Sequence, residues 1–414
     1  MNAEIINIGE ELLIGQVVNT NSSWMCQKLN EIGVRVRYVS VISDVEEDIY
    51  NAIDVSLKRS EIVIITGGLG PTKDDLTKDV LAKYFKTNLE INETVLNDIV
   101  SFFKKRGMPL TELNRLQSSV PVGFGFIRNP EGTAPGLFYR KNERFLAALP
   151  GVPFEMKYMF ENFIIPELKS KIRDEYIVHK TILTQGVGES FLAALIEKWE
   201  DNLPKNISLA YLPSAGIVRL RLSAAGRDKK QLQKDIAAEV AKLRKLIPEY
   251  IFGYDNDTLE GILVKLLAKN NLTLGIAESC TGGYISHLIT SIPGSSACYK
   301  GSITSYSNDV KINQLCIPFQ LIDKYGAVSK EVAVAMAEGV RKVLKVDYSI
   351  SVTGIAGPGG GTKQKPVGLV YIAVSSDKET IVEKFLFGDR RDRNIVRSSV
   401  TALNMLRKQI KKAV

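Results

Sequence analysis

Two rhythms of apolar residues alternate along the first 168 positions of the chain. Residues 4–8, 34–42 and 61–66 are short runs rich in β-branched side chains, whereas residues 21–32, 46–58, 76–85 and 93–105 repeat their apolar positions every three to four residues. Strands alternating with amphipathic helices predict a mostly parallel sheet covered on both faces, with its ligand site at the carboxyl ends of the strands. From about Asp174 the rhythm changes. A strand at 178–184 and a helix at 189–198 precede two runs, 207–212 and 217–224, which flank Pro213-Ser214-Ala215-Gly216 as the arms of a hairpin. A long basic helix follows. From Asp257 a second alternation sets in, with helices at 259–269, 283–292 and 330–344, strands at 272–277, 303–306, 348–352, 369–374 and 380–387, and a final helix to the end. The pattern predicts an α/β protein in which two three-layer α/β domains, residues 1–168 and 251–414, are joined by a small α+β middle domain, residues 169–250. That middle piece reads as a linker or dimerisation element, so a homodimer is expected.

Composition narrows the class. A chain of 414 residues is too long for one core. Its apolar runs, such as Ile62-Val63-Ile64-Ile65, are strand-sized, so no membrane partner is expected. The start, Met1-Asn2-Ala3-Glu4-Ile5-Ile6, reads as a first strand and not as a signal peptide. Cys26, Cys280, Cys298 and Cys316 stand far apart, as reduced thiols do, and a cytoplasmic location is expected. The net charge of +8 is diffuse and sits mainly in 227–245 and 390–412. Basic helix faces of this kind are usually solvated surface, so nucleic acid is not the expected partner, and phosphorylated small molecules suit the charge better.

In the first half, the strand ending at Thr66 runs into Gly67-Gly68-Leu69-Gly70-Pro71-Thr72-Lys73-Asp74-Asp75-Leu76-Thr77. Glycines directly after a buried strand let backbone N–H groups approach a phosphate, which makes Gly67, Gly68 and Gly70 substrate-site candidates. Asp74 and Asp75 are expected in the first turn of a helix, where they could hold a hard cation through oxygen. Helix capping alone would explain one carboxylate, but not three glycines with two.

The second half needs a nucleophile without a histidine base. His179 and His287 are the only histidines, which disfavours both a Ser-His-Asp hydrolase and a zinc site. A candidate nucleophile lies in Ser291-Ile292-Pro293-Gly294-Ser295-Ser296-Ala297. Ser307 or Asn308 reads as a helix cap, which places Lys311 in the first turn, where the helix dipole lowers an ammonium pKa. A lysine must be neutral to act as base, so such a depression is what a Ser-Lys mechanism requires. Asp309 works against that argument, and an ordinary surface lysine is the competing reading. Tyr306, at the end of the preceding strand, could relay the proton or hold the serine.

Three loops complete a cradle. Ala277-Glu278-Ser279-Cys280-Thr281-Gly282-Gly283 joins a strand to a helix, with N–H groups expected to face a ligand. The segment 351–361, carrying Thr353 and Gly354, leaves another strand in a glycine-rich loop, and Gly388-Asp389-Arg390 offers a guanidinium. Neither loop is a Walker P-loop or a clean dinucleotide fingerprint.

These motifs resemble the competence/damage-inducible family, CinA. In the first half the resemblance rests on Gly9-Glu10-Glu11-Leu12-Leu13-Ile14-Gly15-Gln16, Asn19-Thr20-Asn21, the run 67–77, Gly132-Thr133-Ala134-Pro135-Gly136 and Leu149-Pro150-Gly151-Val152-Pro153. It implies a molybdopterin-binding-like domain with metal-dependent hydrolysis of the ADP-ribose pyrophosphate, Asp44, Asp74 and Asp75 being the metal or phosphate residues. The metal would be divalent (Mg, Mn or Co), with potassium as a possible monovalent addition. In the second half the resemblance rests on 278–283, Gly294-Ser295-Ser296, Tyr306-Ser307-Asn308 with Lys311, Gly326-Ala327-Val328-Ser329, 353–358, Lys365-Pro366-Val367-Gly368 and Gly388-Asp389-Arg390. It implies a cofactor-free nicotinamide-nucleotide amidase, converting nicotinamide mononucleotide to nicotinic acid mononucleotide and ammonia. Ser296 is then the nucleophile and Tyr306 with Lys311 its activating pair. Glu278, Ser279, Thr353, Gly354 and Arg390 are then substrate-site residues, although the motif leaves Arg390, Arg391 and Arg393 undistinguished. The rival reading is a nucleotide-sensing adaptor linked to competence or DNA damage, with both pockets kept for binding alone.

Overall fold

The structure, a computed structural model, describes residues 1–170 and 176–413. Asp174, where the change of rhythm was expected, lies outside them. The chain forms two compact units, residues 1–178 with 225–232 and residues 179–224 with 233–414.

The first unit is built on a six-stranded sheet. Strands β1 (Asn2–Ile8), β2 (Arg35–Ile42) and β3 (Ile62–Thr66) come first, and β4 (Leu89–Ile91) and β5 (Ser119–Pro121) pair apart as a small antiparallel ribbon. Strands β6 (Gly125–Ile127), β7 (Gly136–Lys141) and β8 (Arg144–Leu149) complete the main sheet in the order β2-β1-β3-β8-β7-β6. Four neighbours, β2, β1, β3 and β8, are parallel, and β7 and β6 run antiparallel at one edge. Alternate residues of the central strands serve different cores. Ile6, Ile8, Val63 and Ile65 pack with the helices Glu46–Arg59 and Thr77–Tyr84, whereas Ile5, Ile62 and Ile64 pack with Thr20–Glu31 and Pro153–Met159. Burial on both faces is why these strands read as continuous apolar runs.

The second unit holds two sheets. Strands β9 (Tyr176–Gln185), β10 (Ile207–Ser214), β11 (Ile217–Gly226) and β12 (Ile251–Tyr254) order as β10-β11-β9-β12, with the expected hairpin turning at 214–217. Strands β13 (Leu274–Glu278), β14 (Tyr299–Thr304), β15 (Tyr348–Gly354), β16 (Leu369–Ser375) and β17 (Thr380–Leu386) order as β14-β13-β15-β16-β17. The first three are parallel, and β16 and β17 return antiparallel. Helices Leu259–Lys269, Tyr284–Thr290 and Arg391–Ala413 cover one face and Lys330–Leu344 the other, which makes three layers.

The strand expected at 303–306 begins four residues earlier and ends at Thr304. It is an edge strand with alternate residues exposed, so Tyr299-Lys300-Gly301-Ser302 is too polar to register as an apolar run.

Helix Lys330–Leu344 approaches the sheet closely because Ala333 and Ala337 face Ala373 with no exposure. Two buried hydroxyls tie it down: Ser349 Oγ donates to the Ala337 carbonyl (2.6 Å) and Ser351 Oγ to that of Ala333 (2.5 Å). Leucine at position 337 has no space here. Ala337→Leu is expected to cost about 1–3 kcal/mol by overpacking. A lowered urea midpoint would report this, and an unchanged midpoint would show that the helix can lift off freely.

Candidate active site at the carboxyl edge of the C-terminal sheet

Three parallel strands end together. The Ser279 N–H donates to the Val352 carbonyl (3.0 Å) and the Ser305 N–H to that of Glu278 (2.7 Å), so the residues following β13, β14 and β15 share one edge. Glu278 is fully buried there. Its carboxylate accepts from the N–H groups of Gly283 (3.0 Å), Ile285 (3.1 Å) and Ser286 (2.9 Å), and from Ser286 Oγ (2.5 Å). The chain thus fills the start of helix Tyr284–Thr290 with its own anion. This corrects two expectations. The N–H groups of Gly283, Ile285 and Ser286 are taken by Glu278 and not left for a phosphate, and Glu278 anchors the loop and is not placed as a substrate contact.

Lys311 lies at the centre of this edge. It sits in helix Asn308–Leu315, capped by Ser307, whose hydroxyl accepts from the Val310 N–H (3.3 Å). The side chain is only 1% exposed and points back under the strand ends. Its Nζ donates to the carbonyls of Ser305 (2.7 Å) and Tyr306 (3.4 Å) and reaches Ser279 Oγ at 3.2 Å. Burial holds its pKa below the ordinary lysine value. The lowered pKa agrees with expectation, but its main cause is desolvation and not the helix dipole. The surface-lysine reading is excluded by the burial.

The amine also has the right valence for a base. A neutral amine has two N–H donors and one lone pair. When neutral, Lys311 can give both donors to the two carbonyls and keep the lone pair for the Ser279 hydroxyl. Cys280, next in sequence, is no rival nucleophile: burial pushes its thiol up to about 12.

Ser296 is not brought to this edge. It is exposed in the short turn Ser295–Ala297, ahead of β14, whereas Tyr306 and Lys311 follow the far end of that strand. Six extended residues separate them by roughly 20 Å. Tyr306 is brought to the edge, but its hydroxyl meets Arg391 Nη2 (3.0 Å), and only its backbone carbonyl faces the lysine. Arg391 also donates to the Gly357 carbonyl (2.9 Å). Arg390, the expected guanidinium, is instead clasped by Asp392 through two bonds (2.8 and 3.2 Å) on the surface. Thr353 is buried and donates to the Ala327 carbonyl (2.8 Å), tying β15 to the 326–329 loop and not facing outward. Gly354 is required by the sheet, since a Cβ there would lie 2.7 Å from the Leu369 carbonyl. His179 pairs with Ser223 Oγ (2.7 Å) and His287 is exposed, both outside the site.

The glycine turn of the first unit is shaped by close approach. A Cβ on Gly67 would lie 2.2 Å from the Ile8 carbonyl, and one on Gly68 2.3 Å from Thr77 Oγ1. Gly67 donates to the Leu149 carbonyl (3.0 Å), whereas Gly68, Leu69 and Gly70 have no N–H acceptor among the described residues. Asp74 and Asp75 precede the helix, which starts at Thr77, and so are not in its first turn. Asp75 turns back to accept from the Thr72 N–H (2.9 Å) and hydroxyl, and Asp44 accepts from the Glu10 N–H (2.9 Å). A hydrogen bond from Thr72 lowers the Asp74 pKa. Among the described residues no group of three or more His, Cys, Asp or Glu side chains is placed to hold a metal ion. Asp44, Asp74 and Asp75 therefore do not fit a preformed divalent site.

Three family models match successive segments of the chain. Residues 4–170 match the family model of a probable molybdopterin binding domain, 179–253 that of the damage-inducible protein CinA KH domain, and 256–410 that of the CinA C-terminal domain. A CinA-like protein of Flavobacterium psychrophilum is 46% identical over 417 residues, covering 100% of this chain and 99% of that one. The chain belongs to the CinA family. A putative competence-damage inducible protein of Halothermothrix orenii is 43% identical, covering 95% of each. Among solved structures, the CinA protein with unknown function from Thermoplasma acidophilum is 37% identical over 41% of this chain and 97% of that one, with a TM-score of 0.37.

In this CinA chain the Ser279–Lys311 contact lies within the matched C-terminal domain, and Glu278 holds its loop. Glu278→Ala would leave buried donors unmatched and is expected to cost about 3 kcal/mol. Chemical denaturation measures this, and a variant as stable as the parent would show that the carboxylate is dispensable.

Proposed function

We propose that the C-terminal domain hydrolyses the carboxamide of nicotinamide mononucleotide, with Ser279 as nucleophile and Lys311 as base. The observation that carries the reading is the buried lysine amine held by two carbonyls with its third position on a serine hydroxyl. Lys311 takes the Ser279 proton as Oγ attacks the amide carbon, and the tetrahedral intermediate then collapses as the proton passes to departing ammonia. Water, deprotonated by the same amine, hydrolyses the ester and releases the nicotinic acid nucleotide. The net change is amide plus water to carboxylic acid plus ammonia. The N–H of Thr281, which has no acceptor among the described residues, is the candidate oxyanion donor. Arg391, exposed beside the exposed Tyr306 ring, would meet the substrate phosphate. The choice of nicotinamide mononucleotide rests on the family motifs, and no organic cofactor enters this scheme.

For the N-terminal domain we infer binding of a pyrophosphate-bearing nucleotide such as ADP-ribose on the N–H groups of Gly68, Leu69 and Gly70. No hydrolytic step is routed through a metal there, because the carboxylates do not form a site by themselves.

Ser279→Ala should lower ammonia release from nicotinamide mononucleotide by about 10³-fold or more, while Ser296→Ala stays within about twofold of the parent. The reverse order would return the nucleophile to Ser296. Lys311→Arg should be as inactive as Lys311→Met, since a guanidinium cannot give up its proton.

The base must be neutral to work, so kcat should rise with pH and level off above a midpoint below 10.5. A profile flat from acid to neutral pH would show that no lysine titrates in the rate-limiting step.

A further inference from the structure

The second unit encloses a cavity of about 570 Å³ that none of Ser279, Tyr306 and Lys311 lines. One wall is a stripe of the helix Arg391–Ala413, from which Arg397, Lys408 and Lys412 face the opening. None of the three forms an ion pair among the described residues, and Glu189 and Glu383 are the carboxylates in the lining. A second wall is the loop Gly186-Val187-Gly188, which leads into the 13-residue helix Glu189–Asp201. No side chain caps that helix, so its first N–H groups add a positive end to the same opening.

Behind the stripe runs a buried polar chain. Gln185 Nε2 donates to Thr401 Oγ1 (3.2 Å), Asn404 Nδ2 to Gln185 Oε1, and Arg407 Nε to Asn404 Oδ1 (2.8 Å). Arg407 is 4% exposed and forms no ion pair among the described residues. A buried guanidinium with an amide oxygen on Nε and no ion pair among the described residues adds a field that favours an anion nearby. On the remaining side, Phe385 and Phe387 lie parallel, 5.3 Å apart and 4° from coplanar orientation, and present an aromatic wall. The volume is in the range of small-ligand pockets.

We propose that this cavity binds a nucleoside phosphate, its base against Phe385 and Phe387 and its phosphate toward Lys408, Lys412 and the start of helix Glu189–Asp201. It is a binding site separate from the amide-cleaving edge, and it does not depend on that edge being an amidase. It shares one element with that edge, because the helix that lines it starts with the Arg391 that holds the Tyr306 hydroxyl.

Calorimetric titration of the full chain with AMP tests this. The parent should show a saturable AMP site that Ser279→Ala leaves unchanged. The double variant Lys408→Glu with Lys412→Glu, which alters exposed side chains alone, should weaken that site at least tenfold with an unchanged melting temperature. Phe387→Ser should weaken AMP but not inorganic phosphate, which separates the base subsite from the anion subsite. Absence of an AMP site in the parent would overturn the proposal, as would AMP binding indifferent to the lysine changes. So would much tighter binding of a single-stranded oligonucleotide than of AMP, since that would make the basic stripe a nucleic-acid track.

Discussion

A lysine amine buried without a carboxylate is the constraint around which the C-terminal site is arranged. Charged, Lys311 would be expensive in this position, since two carbonyls and a hydroxyl compensate an ammonium poorly. Neutral, it satisfies every valence with the groups present. The fold therefore favours the protonation state that general-base chemistry needs. The geometry follows from strand order: Ser279 directly follows β13, the turn after β14 supplies two carbonyls, and the helix after that turn carries the lysine back beneath them.

Glu278 makes the arrangement rigid. A helix start at the carboxyl edge of a parallel sheet would ordinarily be an anion site. Here a residue of the preceding strand occupies it, which fixes the loop holding Ser279. In the N-terminal domain the corresponding turn is treated differently, because Asp75 folds over Gly70 while the Gly68, Leu69 and Gly70 N–H groups stay without acceptors among the described residues.

Much of the architecture was legible because burial on both faces writes itself into strands such as Ile62-Val63-Ile64-Ile65 and because the helices carry clear apolar stripes. Lys311 was legible in the first turn of its helix for a physical reason, the Ser307 cap that starts that helix. Ser296 was named from the family motif, and the order of motifs along the chain does not show that the six residues of β14 stand between it and Lys311. Ser279 stood in a recognised motif but as a substrate-site residue, since nothing local reveals that the adjacent Glu278 consumes the helix N–H groups. Choosing Arg391 over Arg390 needed three dimensions, as Asp392 is a rival partner only two residues away.

The central claim is that an ester forms on Ser279 during turnover. Acid quench of the full-length protein while it consumes nicotinamide mononucleotide, followed by peptide mapping, locates that ester directly. The account predicts a nicotinate-nucleotide adduct on the peptide carrying Ser279. An adduct on the peptide carrying Ser296 would contradict it.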